Sequence, residues 1–135
     1  MRLPQPFVDV WTPRALGLLR LVVGFLYLQH GTAKLLHVPH VTLFDGLRPW
    51  SLDGFAGMLE IAGSVLILLG LFTRPVAFLL SGEMAVAYFM AHAPQGHFFV
   101  PALNQGELAV LYCFIFLFLS VAGAGTWSLD ARRAE

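Results

Sequence analysis

Four long apolar segments, set almost end to end in 135 residues, constrain this chain more than any other feature. They cover residues 15–36, 55–72, 75–91 and 106–123. Each approaches the length of about 20 residues that a helix needs to cross roughly 30 Å of hydrocarbon. A chain of this size in water has too much surface for its volume to hide so much apolar side chain. Here 58% of the residues are hydrophobic and 12% charged, against about 45–50% and about 25% in soluble domains. The expected fold class is therefore all-α. Residues 1–135 form one domain, a transmembrane four-helix bundle whose first partner is the lipid bilayer.

The basic residues set an expected orientation. Arg2, Arg14, Arg74, Arg132 and Arg133 fall at one end of such a bundle, with Arg48 and Lys34 toward the other. Lysine and arginine accumulate on the cytoplasmic side, so both termini are expected in the cytoplasm, in a membrane of the bacterial inner type. Trp11 and Trp127 would mark the inner interface and Trp50 the outer one. Only Thr73-Arg74 separates the second and third segments, and Pro75 suits the first turn of the next helix, which predicts a tight hairpin. Two longer connections, residues 37–54 and 92–105, would face outward. Leu43, Phe44, Phe98 and Phe99 allow either to fold back as a cap. The three prolines and the tryptophan of residues 1–14 do not read as a cleavable signal peptide.

Several classes of function fall away. Eight basic residues balance eight acidic ones, leaving no basic face for nucleic acid. Cys113 is the only cysteine, so neither a disulfide nor a CxxC site is available, and it reads as an inert buried thiol. No HxxxH or ExxH pair occurs within a span, so no metal site is expected. Haem held between His30 and His92 is disfavoured for the same reason. The tail Ala122-Gly-Ala-Gly-Thr126 follows a helix rather than a strand and reads as a helix stop, not a nucleotide loop.

The informative residues are the ionisable ones inside the spans, each costing about 2.5–3.5 kcal/mol on an insertion scale. Arg20, His30 and Lys34 lie in the first segment, and Glu60, Glu83 and Glu107 in the three later ones. His92 follows the third, and Asn104 precedes the fourth. Gly17, Arg20, Gly24, Tyr27, Gly31 and Lys34 step by three and four and share one helical stripe, directed at the bundle interior. At 1.5 Å per residue Glu60 lies roughly 8 Å below the outer end of its helix. On this reasoning His30, Lys34, Glu60, His92, Asn104 and Glu107 converge on an outward-facing pocket, with Glu83 as its floor. Glu60, Lys34 and Glu107 are the candidate catalytic groups. Arg20, His30, Glu83, His92 and Asn104 are the candidate binding groups. The plainer reading is that the charges neutralise each other and fix packing. Tyr27, Tyr88 and Tyr112 read as packing residues, and His37, His40 and His97 as interfacial loop residues.

Four stretches carry a family likeness. They are Arg20…Gly24…His30-Gly31…Lys34-Leu35; Glu60-Ile-Ala-Gly63 with Leu69-Gly-Leu-Phe-Thr-Arg74; Asn104-Gln-Gly-Glu107; and Gly123-Ala-Gly125-Thr-Trp-Ser-Leu-Asp130. In this order and spacing, over residues 19–130, the chain resembles the DoxX family of small four-helix membrane proteins. Gln105 departs from the pattern, which more often has glycine there. The resemblance implies a link to redox chemistry. Family members include a subunit associated with thiosulfate:quinone oxidoreduction, others associated with quinone or catechol resistance, and others with complexes handling thiol stress.

The expectation is a quinone-linked oxidoreductase component that binds a quinone or similar small redox-active molecule. Lys34 or His30 would hydrogen-bond a carbonyl oxygen, and Glu60 or Glu107 would relay its proton. No cofactor motif is evident in the chain, so electrons would come from a partner redox protein; a homo-oligomer is the other expected association. A small proton-coupled transporter and a non-catalytic structural subunit are the alternatives.

Overall fold

The computed structural model describes residues 4–133, and among them every regular element is helical. Helix α1 spans Gln5–Leu36 and α2 spans Leu52–Leu69. Helix α3, Thr73–Ala87, runs on through a π-turn at Tyr88–His92 and a 3-10 turn at Ala93–Gln95. Helix α4 is Glu107–Ala122, and a short α5, Leu129–Arg133, closes the described chain.

The boundaries differ from the apolar pattern in instructive ways. Helix α1 starts ten residues before the expected 15, because Pro6 sits in its first turn, where a missing N–H costs nothing. Pro13 is carried inside the helix. At 32 residues, α1 is about 48 Å long, more than a bilayer core requires. Helices α1 and α2 and the helical stretch Thr73–Gln95 are each long and apolar enough to span. Helix α4, 16 residues and about 24 Å long, is shorter than these three stretches.

Turn chemistry sets the ends. Ser51 caps α2 by accepting a hydrogen bond from the Gly54 amide at 3.2 Å. Gly70 ends that helix in the left-handed region at φ 63°, packed so closely on Ser128 that a side chain would not fit. The expected tight α2–α3 hairpin is present with Pro75 in the first turn of α3, but it turns within Gly70–Phe72 and not at Thr73-Arg74, because Gly70 ends α2 three residues before the apolar run does. Helix α4 stops at Ala122, ahead of the glycine-rich tail.

In the bundle, α1 packs chiefly on α2, α3 on α4, and α2 on α3. Small residues permit close approach. A Cβ on Gly31 would come 2.7 Å from Ile61 Cγ1 and 2.8 Å from the Gly57 carbonyl oxygen, and one on Gly63 would come 2.7 Å from Leu80. The apolar core is built by Val23, Tyr27, Ile67, Leu80, Met84, Tyr88, Tyr112, Phe116 and Leu119. Large apolar side chains also cover the outside, among them Leu18, Phe25, Val65, Phe78, Phe89, Phe114 and Phe118. Meanwhile Arg20, Glu60, Ser64, Thr73, Ser81 and Asn104 are buried. Apolar outside with polar inside is what hydrocarbon as solvent selects.

Both ends of the described chain meet at one end of the bundle. The Thr126 amide donates to the Pro13 carbonyl at 3.0 Å, and the Asp130 amide donates to the Gly70 carbonyl at 2.9 Å. The connections after α1 and before α4 form the opposite end. There Lys34 Nζ lies 5.8 Å from the centre of the Phe44 ring, so the first connection does fold back over the bundle.

Candidate functional site

The stripe on α1 delivers its residues to two different places. Tyr27 and Lys34 meet carboxyl groups of the other helices, with His30 between them. Lys34 Nζ donates to Glu60 Oε1 at 2.7 Å, an ion pair in which the Glu60 side chain is 2% exposed and the Lys34 side chain 14%. Two turns deeper along α1, the Tyr27 hydroxyl donates to Glu83 Oε2 at 3.1 Å. His30 packs edge-on to Tyr112 at 5.7 Å between ring centres and tilted against Tyr27 at 6.1 Å. Tyr27 is held in turn by Tyr112 and Phe116, at 5.1 and 4.8 Å. All four long helices therefore contribute to one interior cluster: Tyr27, His30 and Lys34 from α1, Glu60 from α2, Glu83 from α3 and Tyr112 from α4.

This cluster is polar in a way that packing alone does not call for. Glu60 Oε2 and Glu83 Oε1 are buried and have no hydrogen-bond partner among the described residues, and the same is true of Ser64 Oγ. Ser64 follows Glu60 by four residues, so the two share a face of α2. A buried carboxyl oxygen without a partner is costly to hold. Such atoms concentrate where a protein binds or transfers something.

Arg20 goes elsewhere. It is fully buried, but it faces the opposite end of the bundle and meets none of Glu60, Glu83 or Glu107. Its Nε donates to the Ala124 carbonyl at 2.8 Å. Nη1 donates to those of Ile67 and Leu68 at 2.5 and 2.6 Å, and Nη2 to those of Trp127 and Thr126 at 2.8 and 3.4 Å. Ile67 and Leu68 close α2, where the i to i+4 ladder runs out; the Ile67 carbonyl also accepts from the Gly70 amide at 3.0 Å. Arg20 thus stitches α1, the end of α2 and the tail after α4 into one unit.

His92, Asn104 and Glu107 also do not join the cluster. The π-turn brings His92 Nδ1 to 3.0 Å from the Asn104 main-chain oxygen and stacks its ring on Tyr88. The buried Asn104 side chain donates to the Tyr88 hydroxyl and the Gly96 carbonyl, at 3.3 and 3.2 Å, and accepts from the Gly106 amide at 2.9 Å. These contacts shape the connection into α4. Glu107, the first residue of that helix, is exposed and lines a surface cleft of about 420 Å³ with Phe99, Val100, Pro101, Val110 and Leu111. The expected convergence of six residues on one outward pocket is corrected to the pair Lys34–Glu60 with His30 beside it. Depth and helical phase place a residue on a level and a face, but they do not say which neighbour its side chain reaches.

Sequence reasoning passed over Tyr27 and Ser64. Tyr27 lies on the same stripe as Arg20 and Lys34, a signal for an inward role, yet a tyrosine in an apolar helix reads first as packing. Ser64 carries no signal beyond its i+4 spacing from Glu60.

Fold and site together define a small integral membrane protein, a helical bundle closed around a buried polar cluster. Residues 15–93 match the DoxX family, and the chain belongs to it. A protein of Haemophilus influenzae described only as uncharacterised is 46% identical over 127 residues, covering 93% of this chain and 95% of that one. An uncharacterised membrane protein of Mycobacterium tuberculosis is 29% identical over 146 residues, covering 91% of this chain and 83% of its own. No solved structure matches the chain.

Proposed function

We propose that this DoxX-family protein is a component of quinone-linked oxidoreduction that binds a quinone or similar small redox-active molecule beside Lys34 and Glu60. The observation that carries the reading is the Lys34–Glu60 pair itself, an ion pair almost wholly withdrawn from solvent with one Glu60 oxygen left over. An ammonium group has three N–H donors, and one is directed at Glu60 Oε1, which leaves donors for a ligand carbonyl. His30 adds a ring nitrogen at the same level. Reducing a quinone to the quinol adds two electrons and two protons. A partner redox protein supplies the electrons. Protons reach the ligand through Glu60, which gives one up and is reprotonated from the interior. Glu107, in its separate cleft, takes no part in this step. Relatives in two bacteria support a place in a bacterial inner membrane, beside the redox partner or in a homo-oligomer.

A second reading, proton-coupled transport, is favoured by a specific observation: Glu83 Oε1 and Ser64 Oγ, outside the ion pair, are also buried without partners. The two readings separate in one experiment. The organic extract of detergent-purified protein, analysed by mass spectrometry, is expected to hold stoichiometric quinone in the wild type. In Glu60→Gln the quinone is expected to be lost with helix content unchanged. Bulk lipid alone in both samples would overturn the quinone reading. Solute uptake driven by a pH gradient into proteoliposomes, abolished in Glu83→Gln, would then establish transport.

A further inference from the structure

The interior oxygens that the ion pair leaves over are arranged in depth. Helices α1 and α2 run antiparallel: Gly31 packs on Gly57 and Ile61, and Gly24 on Ile67 and Leu68. Ser64 therefore lies on a level with Tyr27, one turn of α2 below Glu60. On the next, antiparallel helix Gly63 packs against Leu80, which sets the Glu83 backbone level with Glu60, while the Tyr27 hydroxyl reaches its carboxyl from the Ser64 level. Tyr27 holds Glu83 by Oε2, so the free oxygen of that carboxyl is Oε1. Three buried atoms without protein partners, Glu60 Oε2, Ser64 Oγ and Glu83 Oε1, thus fall within about one helical turn of each other in the bundle interior, next to the ion pair. Buried water binds where two to four polar groups lack partners, and these three meet that condition.

We propose that Glu83, Ser64 and Glu60 form an internal proton relay, bridged by water, that carries protons between the bundle interior and the Lys34–Glu60 site. It rests on the reading of that site as the place where protons are exchanged. In one transfer the O–H bond at Glu83 Oε1 breaks and its proton passes to the bridging water. That water hands a proton on to Ser64 Oγ, whose own proton passes by water to Glu60 Oε2. One proton moves, and each hydroxyl and water ends with the number of protons it began with. Tyr27 is a positioning residue: by donating to Oε2 it leaves Oε1 to carry the mobile proton. The ionisable groups facing Glu83 are Tyr27, its hydrogen-bond partner on α1, and Glu60 on α2 and Lys34 on α1 in electrostatic reach; His30 and Tyr112 pack on Tyr27. Lys34 is the one cation among them and is already committed to Glu60.

Infrared difference spectroscopy of the full chain in lipid vesicles tests the relay, with pH steps in light and heavy water. The wild type is expected to show a carboxylic-acid C=O band that shifts in heavy water. Glu83→Gln should delete it, whereas Glu107→Gln, at the exposed position, should leave it. Tyr27→Phe and Ser64→Ala preserve shape and remove only hydroxyls; the first removes the hydrogen bond to Glu83 and the second the proposed water bridge, so each should shift the band. A band unaffected by both hydroxyl variants, or unaffected by Glu83→Gln, would overturn the relay. The same preparations, extracted for quinone, keep the two proposals apart. Quinone with an insensitive band removes the relay alone, and a sensitive band without quinone removes the redox reading alone.

Discussion

Arg20 directs all five of its guanidinium N–H donors at main-chain carbonyls, and at this position the fold is secured. Lysine has three donors on a point charge and cannot reproduce that fork. Each buried carbonyl left without a partner costs about 1–3 kcal/mol. Arg20→Lys is therefore expected to lower stability by at least about 2 kcal/mol, read as a fall in the thermal midpoint of the helical circular dichroism signal in detergent. An unchanged midpoint would show that the tail after α4 holds without it. Asp130 does a smaller version of the same task, accepting hydrogen bonds from the Phe72 and Thr73 amides at 2.9 and 2.8 Å and so capping α3 from a distance. Partial burial works to raise the pKa of its carboxyl. The amide hydrogen bonds and nearby Arg133 outweigh that and hold it below the usual value. A pKa lower in the folded than in the unfolded state means stability that is complete above the ordinary aspartate value of about 3.9. It is lost as pH falls through the folded-state value. The midpoint difference between wild type and Asp130→Asn should therefore stay constant from neutral pH down to about pH 4 and narrow below it. A difference independent of pH would assign the contribution to shape rather than charge.

Among the elements, the α1–α2 contact is the most exacting, because it must bring Lys34 and Glu60 within hydrogen-bonding distance. Gly31→Ala sets a methyl group against Ile61 and the Gly57 carbonyl, and overpacking of this kind costs about 1–3 kcal/mol. Gly82, on α3, has nothing within 4 Å of where its Cβ would stand. Gly82→Ala should be neutral or stabilising by up to about 1 kcal/mol, through helix propensity. Thermal melts of the two variants side by side check this, and equal effects would mean that the α1–α2 spacing is not the constraint. The same contrast explains what could be read from the sequence. Apolar length marks four helices, and Thr73-Arg74-Pro75 marks the hairpin, because both follow from local covalent and solvent constraints. The start of α1 was not legible, since Pro6 and Pro13 look alike in sequence and only helix position separates a tolerated proline from a breaker. The ion pair was legible as a choice among Glu60, Glu83 and Glu107 for Lys34. The partners of Arg20 are main-chain atoms from distant segments, and those of His92 and Asn104 are mostly main-chain atoms of their own connection, which no side-chain pattern announces.

At the scale of the whole molecule, the hydrogen bond from Thr126 to Pro13 holds both ends of the described chain at the same end of the bundle. Which side of the membrane that end faces depends on charge. Arg14, Arg74, Arg132 and Arg133 gather at that end, where Arg14 also lies 5.3 Å from the centre of the Trp11 ring, a pairing suited to an interface where lipid headgroups meet water. The opposite end presents Arg48 and the exposed loop residues His97 and Phe99. The retention of positive residues in the cytoplasm predicts that the ion pair lies near the outer surface and the Arg20 knot near the inner one. Cysteine labelling with a membrane-impermeant maleimide decides the matter, in a Cys113→Ser background so that only the introduced thiol reacts. His97→Cys should be modified in intact cells, and Gln5→Cys only after the membrane is permeabilised. The opposite pattern would turn the bundle over: the Lys34–Glu60 pair would then open to the cytoplasm, and any quinone it holds would exchange protons with that side instead.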